Sequence, residues 1–151
     1  MKILVLGGSR FLGKTFVEEA LKRNHEVTIF NRGIQSPGIK DIEVLYGNRF
    51  GNLKALQNRY WDAVLDTSGF IPYTVQNTTN LLRDQVQHYT FISSISVYQD
   101  WIQENLDENY PVLEMSIEEA NQLSMDADGP IYQYYGHFKA LCEQIAEKNM
   151  P

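Results

Sequence analysis

Ile3-Leu4-Val5-Leu6-Gly7-Gly8-Ser9-Arg10-Phe11-Leu12-Gly13 is the stretch from which the architecture can be read. Four consecutive apolar residues match a strand buried on both faces. Glycines end the run, and apolar residues then recur at helical spacing at Leu12, Phe16, Val17, Ala20 and Leu21, stopping near Asn24, a suitable C-cap. A strand that turns through glycine directly into a helix aims that helix's unpaired N–H groups, and the positive end of its dipole, at the turn. The stretch therefore reads as buried strand, phosphate-binding loop and amphipathic helix.

The loop satisfies two patterns literally. Gly8-Ser-Arg-Phe-Leu-Gly13-Lys14-Thr15 fits the triphosphate loop G-x-x-x-x-G-K-[ST], and Gly7-x-x-Arg10-x-x-Gly13 fits a dinucleotide loop whose middle glycine is arginine. A triphosphate loop wraps its ligand with consecutive N–H groups, so Phe11 and Leu12 at its centre would have to point away. In the dinucleotide reading those residues open the helix and pack it on the sheet, while Lys14 lies on the helix surface. That reading is preferred, with Gly7, Gly8, Ser9, Arg10, Phe11, Leu12 and Gly13 around the ligand. An Mg-ATP site stands as the alternative.

Further along the chain, short apolar runs predict strands at 27–30, 42–45, 63–65 and 89–92, and helical spacing predicts helices at 53–56, 74–83 and 132–148. Strands joined by helices pair in parallel through right-handed crossovers. The fold class is α/β, a doubly wound parallel sheet spanning residues 1–151 as one domain, with ligands expected at the carboxyl ends of the strands. Between the fifth strand and the last helix, residues 100–128 carry nine carboxylates and no Lys or Arg, which reads as a solvated loop.

Charge is divided along the chain. Residues 1–60 hold ten Lys/Arg against five Asp/Glu, and residues 61–151 hold three against fourteen. A basic first half suits an anionic ligand, but its cations (Arg10, Lys14, Arg32, Lys40, Arg49, Arg59) are scattered singly, unlike a nucleic-acid face. The apolar run at 3–6 is far too short for a signal core or a membrane span, and Cys142 has no second thiol to pair with, so a cytoplasmic setting is expected and Cys142 reads as a core residue.

The second strand ends Phe30-Asn31-Arg32, without the carboxylate that commonly accepts hydrogen bonds from the ribose of NAD. Arg32, and Arg10 across the loop, suit charge-assisted bonds to a 2′-phosphate, so NADP is preferred over NAD. Asn48 follows the third strand where a side chain can meet the adenine edge; turn formation is an equally good account of Gly47-Asn48. Tyr135 and Lys139 lie four apart on one face of the last helix, and Ser94 closes the fifth strand in Ser93-Ser94-Ile95-Ser96-Val97-Tyr98, so the three can converge on one carbonyl. His25, His88 and His137 are too dispersed to suggest a metal site.

The glycine loop, Trp61-Asp-Ala-Val-Leu-Asp-Thr-Ser-Gly69, Ser-Ser-Ile-Ser-Val-Tyr and Tyr135-Gly-His-Phe-Lys139, in that order, resemble the NAD-dependent epimerase/dehydratase family, the extended short-chain dehydrogenase/reductases. The resemblance implies a Rossmann fold and hydride transfer at a sugar-like carbinol or carbonyl, often of a nucleotide sugar. By matched position it implies Tyr135 as acid/base, Lys139 as the residue that lowers its pKa and holds the nicotinamide ribose, and Ser94 as donor to the substrate oxygen. Ser68 and Gly69 become the wall beside the cofactor. Arg10 resembles a subgroup with Gly-Gly-[Ser/Thr]-Arg-Phe-[Leu/Ile]-Gly, some of whose members are RNA-associated; a non-catalytic cofactor sensor or RNA-associated protein is the alternative function. Family members continue well beyond this length. The chain is therefore expected to be the amino-terminal cofactor-binding portion, ending before the sixth strand and the substrate domain and leaving a sheet edge open to self-association.

Overall fold

The computed structural model describes residues 1–40, 42–100, 102, 104–125 and 131–150. Five strands, β1 (Lys2–Leu6), β2 (Glu26–Asn31), β3 (Glu43–Tyr46), β4 (Trp61–Asp66) and β5 (Val86–Phe91), form one parallel sheet in the order β3-β2-β1-β4-β5. The order reverses at β1, from which the chain runs first to β2 and β3 and then back to β4 and β5, and a crevice opens where the connections diverge. Register sets its floor: Leu6 lies opposite Phe30 of β2 and Asp66 of β4, so these strands end level.

The unbroken apolar run of β1 follows from burial on both faces. Ile3 and Val5 pack with Val17 and Ala20 of α1 (Phe11–Lys22) on one side. Leu4 and Leu6 pack on the other with Leu82 of α2 (Pro72–Leu82) and Ala146 of α4 (Tyr135–Asn149). This is the doubly wound Rossmann arrangement. Cys142 is a fully buried core residue, and burial pushes its thiol up to about 12. Asn24 ends α1 in left-handed backbone, its N–H bonded to the Leu21 carbonyl. Among the described residues β5 pairs with β4 alone, and no helix is long and apolar enough to cross a membrane.

Several expectations need correcting. The acidic stretch is not loop throughout: Ile117–Met125 is a helix, α3, that buries Ala120. Its start is a capping signal, Ser116 accepting the Glu119 N–H at 3.1 Å, within a Ser-x-x-Glu pattern. Asp126 and Asp128 of that stretch lie outside the described residues. Residues 54–56 form a short 3-10 turn, α2 starts at Pro72 because proline suits the first helical turn, and a 3-10 turn at 131–134 precedes α4. Phe11 and Leu12 do not pack α1 on the sheet: they are 91% and 53% exposed, and Gly13, Val17 and Ala20 form the buried face.

Candidate functional site

The crevice at the end of β1 is a cleft of about 600 Å³. Gly7 and Gly8 leave the strand at φ +104° and +76°, a left-handed turn that side chains oppose, and the Gly7 N–H is held by the Phe30 carbonyl at 2.9 Å. Gly13 lets α1 close on the turn, since a Cβ there would stand 2.9 Å from the Gly8 Cα. Arg10, the cap residue, offers no side-chain acceptor to the helix, and the first turn has no acidic residue. The N–H groups of that turn are thus left for an anion. Lys14 instead pairs on the helix surface with Glu18 at 3.9 Å, as the dinucleotide reading requires.

Every residue assigned to the cofactor by sequence lines this one cleft, except Gly69. Asn31 ties the glycine loop to the end of β2: its Nδ2 donates to Ser9 Oγ at 3.0 Å and its Oδ1 accepts the Gly33 N–H at 2.8 Å. Arg10 donates to Gln35 across the mouth. Neither Arg10 nor Arg32 has a carboxylate partner among the described residues, which leaves two uncompensated guanidinium groups on the rim. Other cations of the basic first half are engaged within the protein. Arg59 is paired with Glu43 at 2.8 Å, and Arg49 is drawn inward to Asp66.

Arg49 is what the sequence reading missed. Its guanidinium binds both carboxylate oxygens of the fully buried Asp66, and it also reaches Thr78 Oγ1 at 2.9 Å and Ser68 Oγ at 3.4 Å. Burial alone would raise the Asp66 carboxyl, but the Arg49 charge and hydrogen bonds, with help from the Tyr89 hydroxyl and the Ser68 N–H, hold it below its ordinary value. Nothing local in Gly47-Asn48-Arg49 signals a partner so distant in sequence.

Ser94, Tyr135 and Lys139 do not line the cleft; Ser94 follows β5, and Tyr135 and Lys139 of α4 touch Phe70 and Ile92, which do line it. Gly136 sets α4 directly against the turn after β5, where a Cβ would run into the Ser96 carbonyl. The Tyr135 ring lies 5.3 Å from Phe70, which lines the cleft. Ser94 Oγ accepts the Ser96 N–H at 3.2 Å and so caps the turn, keeping its own O–H as a donor. Lys139 is buried, its Nζ donating to the carbonyls of Gly69 at 2.8 Å and Ile92 at 2.5 Å and lying 4.0 Å from the centre of the Phe91 ring. It joins the ends of β4 and β5, and burial lowers its ammonium from the ordinary value. Gly69 serves this tie through its carbonyl. His137 turns away against Tyr134, and among the described residues no group of side chains could hold a metal ion.

No family model matches the sequence. Over 114 residues the chain is 29% identical to an Arabidopsis thaliana protein named chloroplast stem-loop binding protein of 41 kDa b, a match covering 64% of this chain and 30% of that protein. Solved structures superpose over nearly the whole chain. The Bordetella bronchiseptica enzyme WbmG in complex with NAD matches at TM-score 0.75 and 15% identity, over 100% of this chain and 51% of that one. UDP-N-acetylglucosamine 4-epimerase from Bacillus cereus matches at 0.67 and 22%, over 97% and 52%. dTDP-glucose 4,6-dehydratase from Bacillus anthracis, in complex with NAD, matches at 0.69 and 16%, over 99% and 50%. The chain spans about half the length of these proteins. Its fold is the Rossmann fold that these epimerase and dehydratase structures share.

Proposed function

We propose that the chain is the amino-terminal, dinucleotide-binding portion of an NAD(P)-dependent epimerase, dehydratase or reductase acting on a sugar-like substrate such as a nucleotide sugar. The observation that carries this reading is the cleft itself: an uncapped helix N-terminus behind Gly7, Gly8 and Gly13, continuous with a rim where Arg10 and Arg32 lack carboxylate partners among the described residues. Neighbours of the same fold hold NAD. Here Asn31 and Arg32 at the end of β2 favour NADP, since no carboxylate stands there to repel a 2′-phosphate.

The nicotinamide group, when bound, gives or takes the hydride. Tyr135 would move the proton at its hydroxyl, which has no other hydrogen-bond partner among the described residues. Ser94 would donate its O–H to the substrate oxygen. Lys139 spends two of its three N–H donors on carbonyls and keeps one for the phenol or the ribose. The edge of β5, unpaired among the described residues, offers a site for self-association.

Calorimetric titration with NADPH, NADH and Mg-ATP in parallel tests the reading. Saturable dinucleotide binding is expected, tighter for NADPH, with the difference largely erased by Arg32→Ala and untouched by Lys14→Ala. Binding of Mg-ATP alone, lost in Lys14→Ala, would replace it with the triphosphate site.

A further inference from the structure

Both acceptors of the Lys139 ammonium trace back to Asp66. The Ile92 carbonyl belongs to a residue whose N–H binds the Asp66 carbonyl at 3.0 Å. The Gly69 carbonyl, which accepts Nζ at 2.8 Å, is reached through the Asp66 side chain instead. Oδ1 takes the Ser68 N–H at 3.0 Å, and Gly69 lies so close to Oδ2 that a Cβ would stand 3.0 Å from that oxygen. The turn from β4 to α2 is thus built against the carboxylate.

That turn is pinned at both ends. Thr67 gives its N–H and its hydroxyl to the Leu6 carbonyl at 3.1 and 2.9 Å, and the Cys142 thiol, a weak donor, reaches the Phe70 carbonyl at 3.5 Å. Between them Ser68 and Gly69 rest on the carboxylate, and the carboxylate rests on Arg49. A buried carboxylate with no cation beside it would take up a proton or draw in water. Arg49 keeps it ionised and, by gripping both oxygens, fixes its plane; the same guanidinium reaches Ser68 Oγ at 3.4 Å.

We propose that Arg49 and Asp66 are positioning residues for Lys139: their ion pair fixes the Gly69 carbonyl, and so fixes the direction of the one N–H that Lys139 has left. The inference rests on the dinucleotide reading above and takes the nicotinamide ribose as the partner of that N–H. An ammonium is tetrahedral, so two bonds to fixed carbonyls, together with the bond to Cε, determine where the third N–H points. With the Ile92 carbonyl alone, the ammonium can turn about a single hydrogen bond, and the third N–H loses its aim. A residue of the loop after β3 thereby aims a lysine of α4.

The test compares affinities for NADH and for ADP, which shares the adenine, first ribose and pyrophosphate but lacks the second ribose. A general loss of stability acts on both ligands alike, so the ratio of the two affinities reports the second ribose. Lys139→Met should lower the NADH preference of the wild type by about tenfold, the effect of losing a charged donor. Arg49→Met with Asp66→Leu, which removes both charges together, should lower it by about the same factor, and adding Lys139→Met to that pair should cost less than about threefold more. Arg49→Gln, whose amide keeps one N–H for the carboxylate, is the milder second variant and should move the ratio the same way by a smaller factor. An unchanged ratio in the Arg49 variants, or a full loss from Lys139→Met in their background, overturns the inference and leaves dinucleotide binding intact. No effect of Lys139→Met in the wild type overturns it too, by removing the lysine from the ribose. Failure of the wild type to bind NADH overturns the dinucleotide reading and this inference with it.

Discussion

Arg49 grips Asp66 with both ends of its guanidinium, Nη1 at 2.8 Å from Oδ1 and Nη2 at 2.7 Å from Oδ2, and so locks the loop after β3 to the end of β4. Tyr89 on β5 donates to Oδ2 at 2.7 Å and the Ser68 N–H donates to Oδ1 at 3.0 Å, so the carboxylate is satisfied on every side while fully buried. Removing one member of such a pair strands the other charge, which is more costly than removing both. Arg49→Met is therefore expected to destabilise the chain by about 3–5 kcal/mol in urea unfolding. Arg49→Lys should recover little, because an ammonium cannot bridge two oxygens in the same plane. The double variant Arg49→Met with Asp66→Leu should be more stable than Arg49→Met alone. A smaller loss in the single variant than in the double would show that the pair is not coupled.

The same network gives stability an acid limb and an alkaline limb. Asp66 is held below its ordinary value in the folded chain, so its contribution is complete above the unfolded carboxylate pKa of about 4 and is lost as pH falls through the folded value. Tyr89 is shifted the other way: burial first, then the neighbouring Asp66 charge, raise its phenol well above 10.0. The folded chain keeps that proton where the unfolded chain releases it, so stability declines as pH rises past about 10. Urea melts across pH should show both limbs. Asp66→Asn should flatten the acid limb and Tyr89→Phe the alkaline one, and unchanged slopes would assign the titrations to other groups.

Gly136 is expected to resist even alanine. Inside a helix, alanine is ordinarily favoured over glycine by about 1 kcal/mol. Here its Cβ would run into the Ser96 carbonyl and stand 2.8 Å from Leu113 Cδ1. Main chain cannot swing aside as a side chain can, so Gly136→Ala should lower stability by about 1–3 kcal/mol. A rise in stability would mean that α4 lifts readily from the turn after β5.

Much of the architecture was legible because short-range patterns encode it. The apolar run Ile3-Leu4-Val5-Leu6 marks a strand covered on both faces, the alternation of periods marks a parallel sheet, and the glycines before α1 mark the turn onto its N-terminus. Helix α3 was legible too, through Ser116 and Glu119, but the density of carboxylates masked the capping signal. Phe11 was misread for a subtler reason. Helical periodicity says which residues share a face, yet where α1 starts on the turn determines which face meets the sheet, and Gly13 rather than Leu12 occupies that contact.

The site divides in the same way. The amino-acid order alone was enough to nominate the glycine loop, Asn31, Arg32 and Asn48, because each follows a strand end and strand ends in a parallel sheet share one rim. Only tertiary structure joined Arg49 to Asp66 and Lys139 to the carbonyls of Gly69 and Ile92. Those contacts span 17, 70 and 47 residues, and they form because register brings the strand ends level and burial leaves each charge or carbonyl no water to turn to. A local pattern records neither of those conditions.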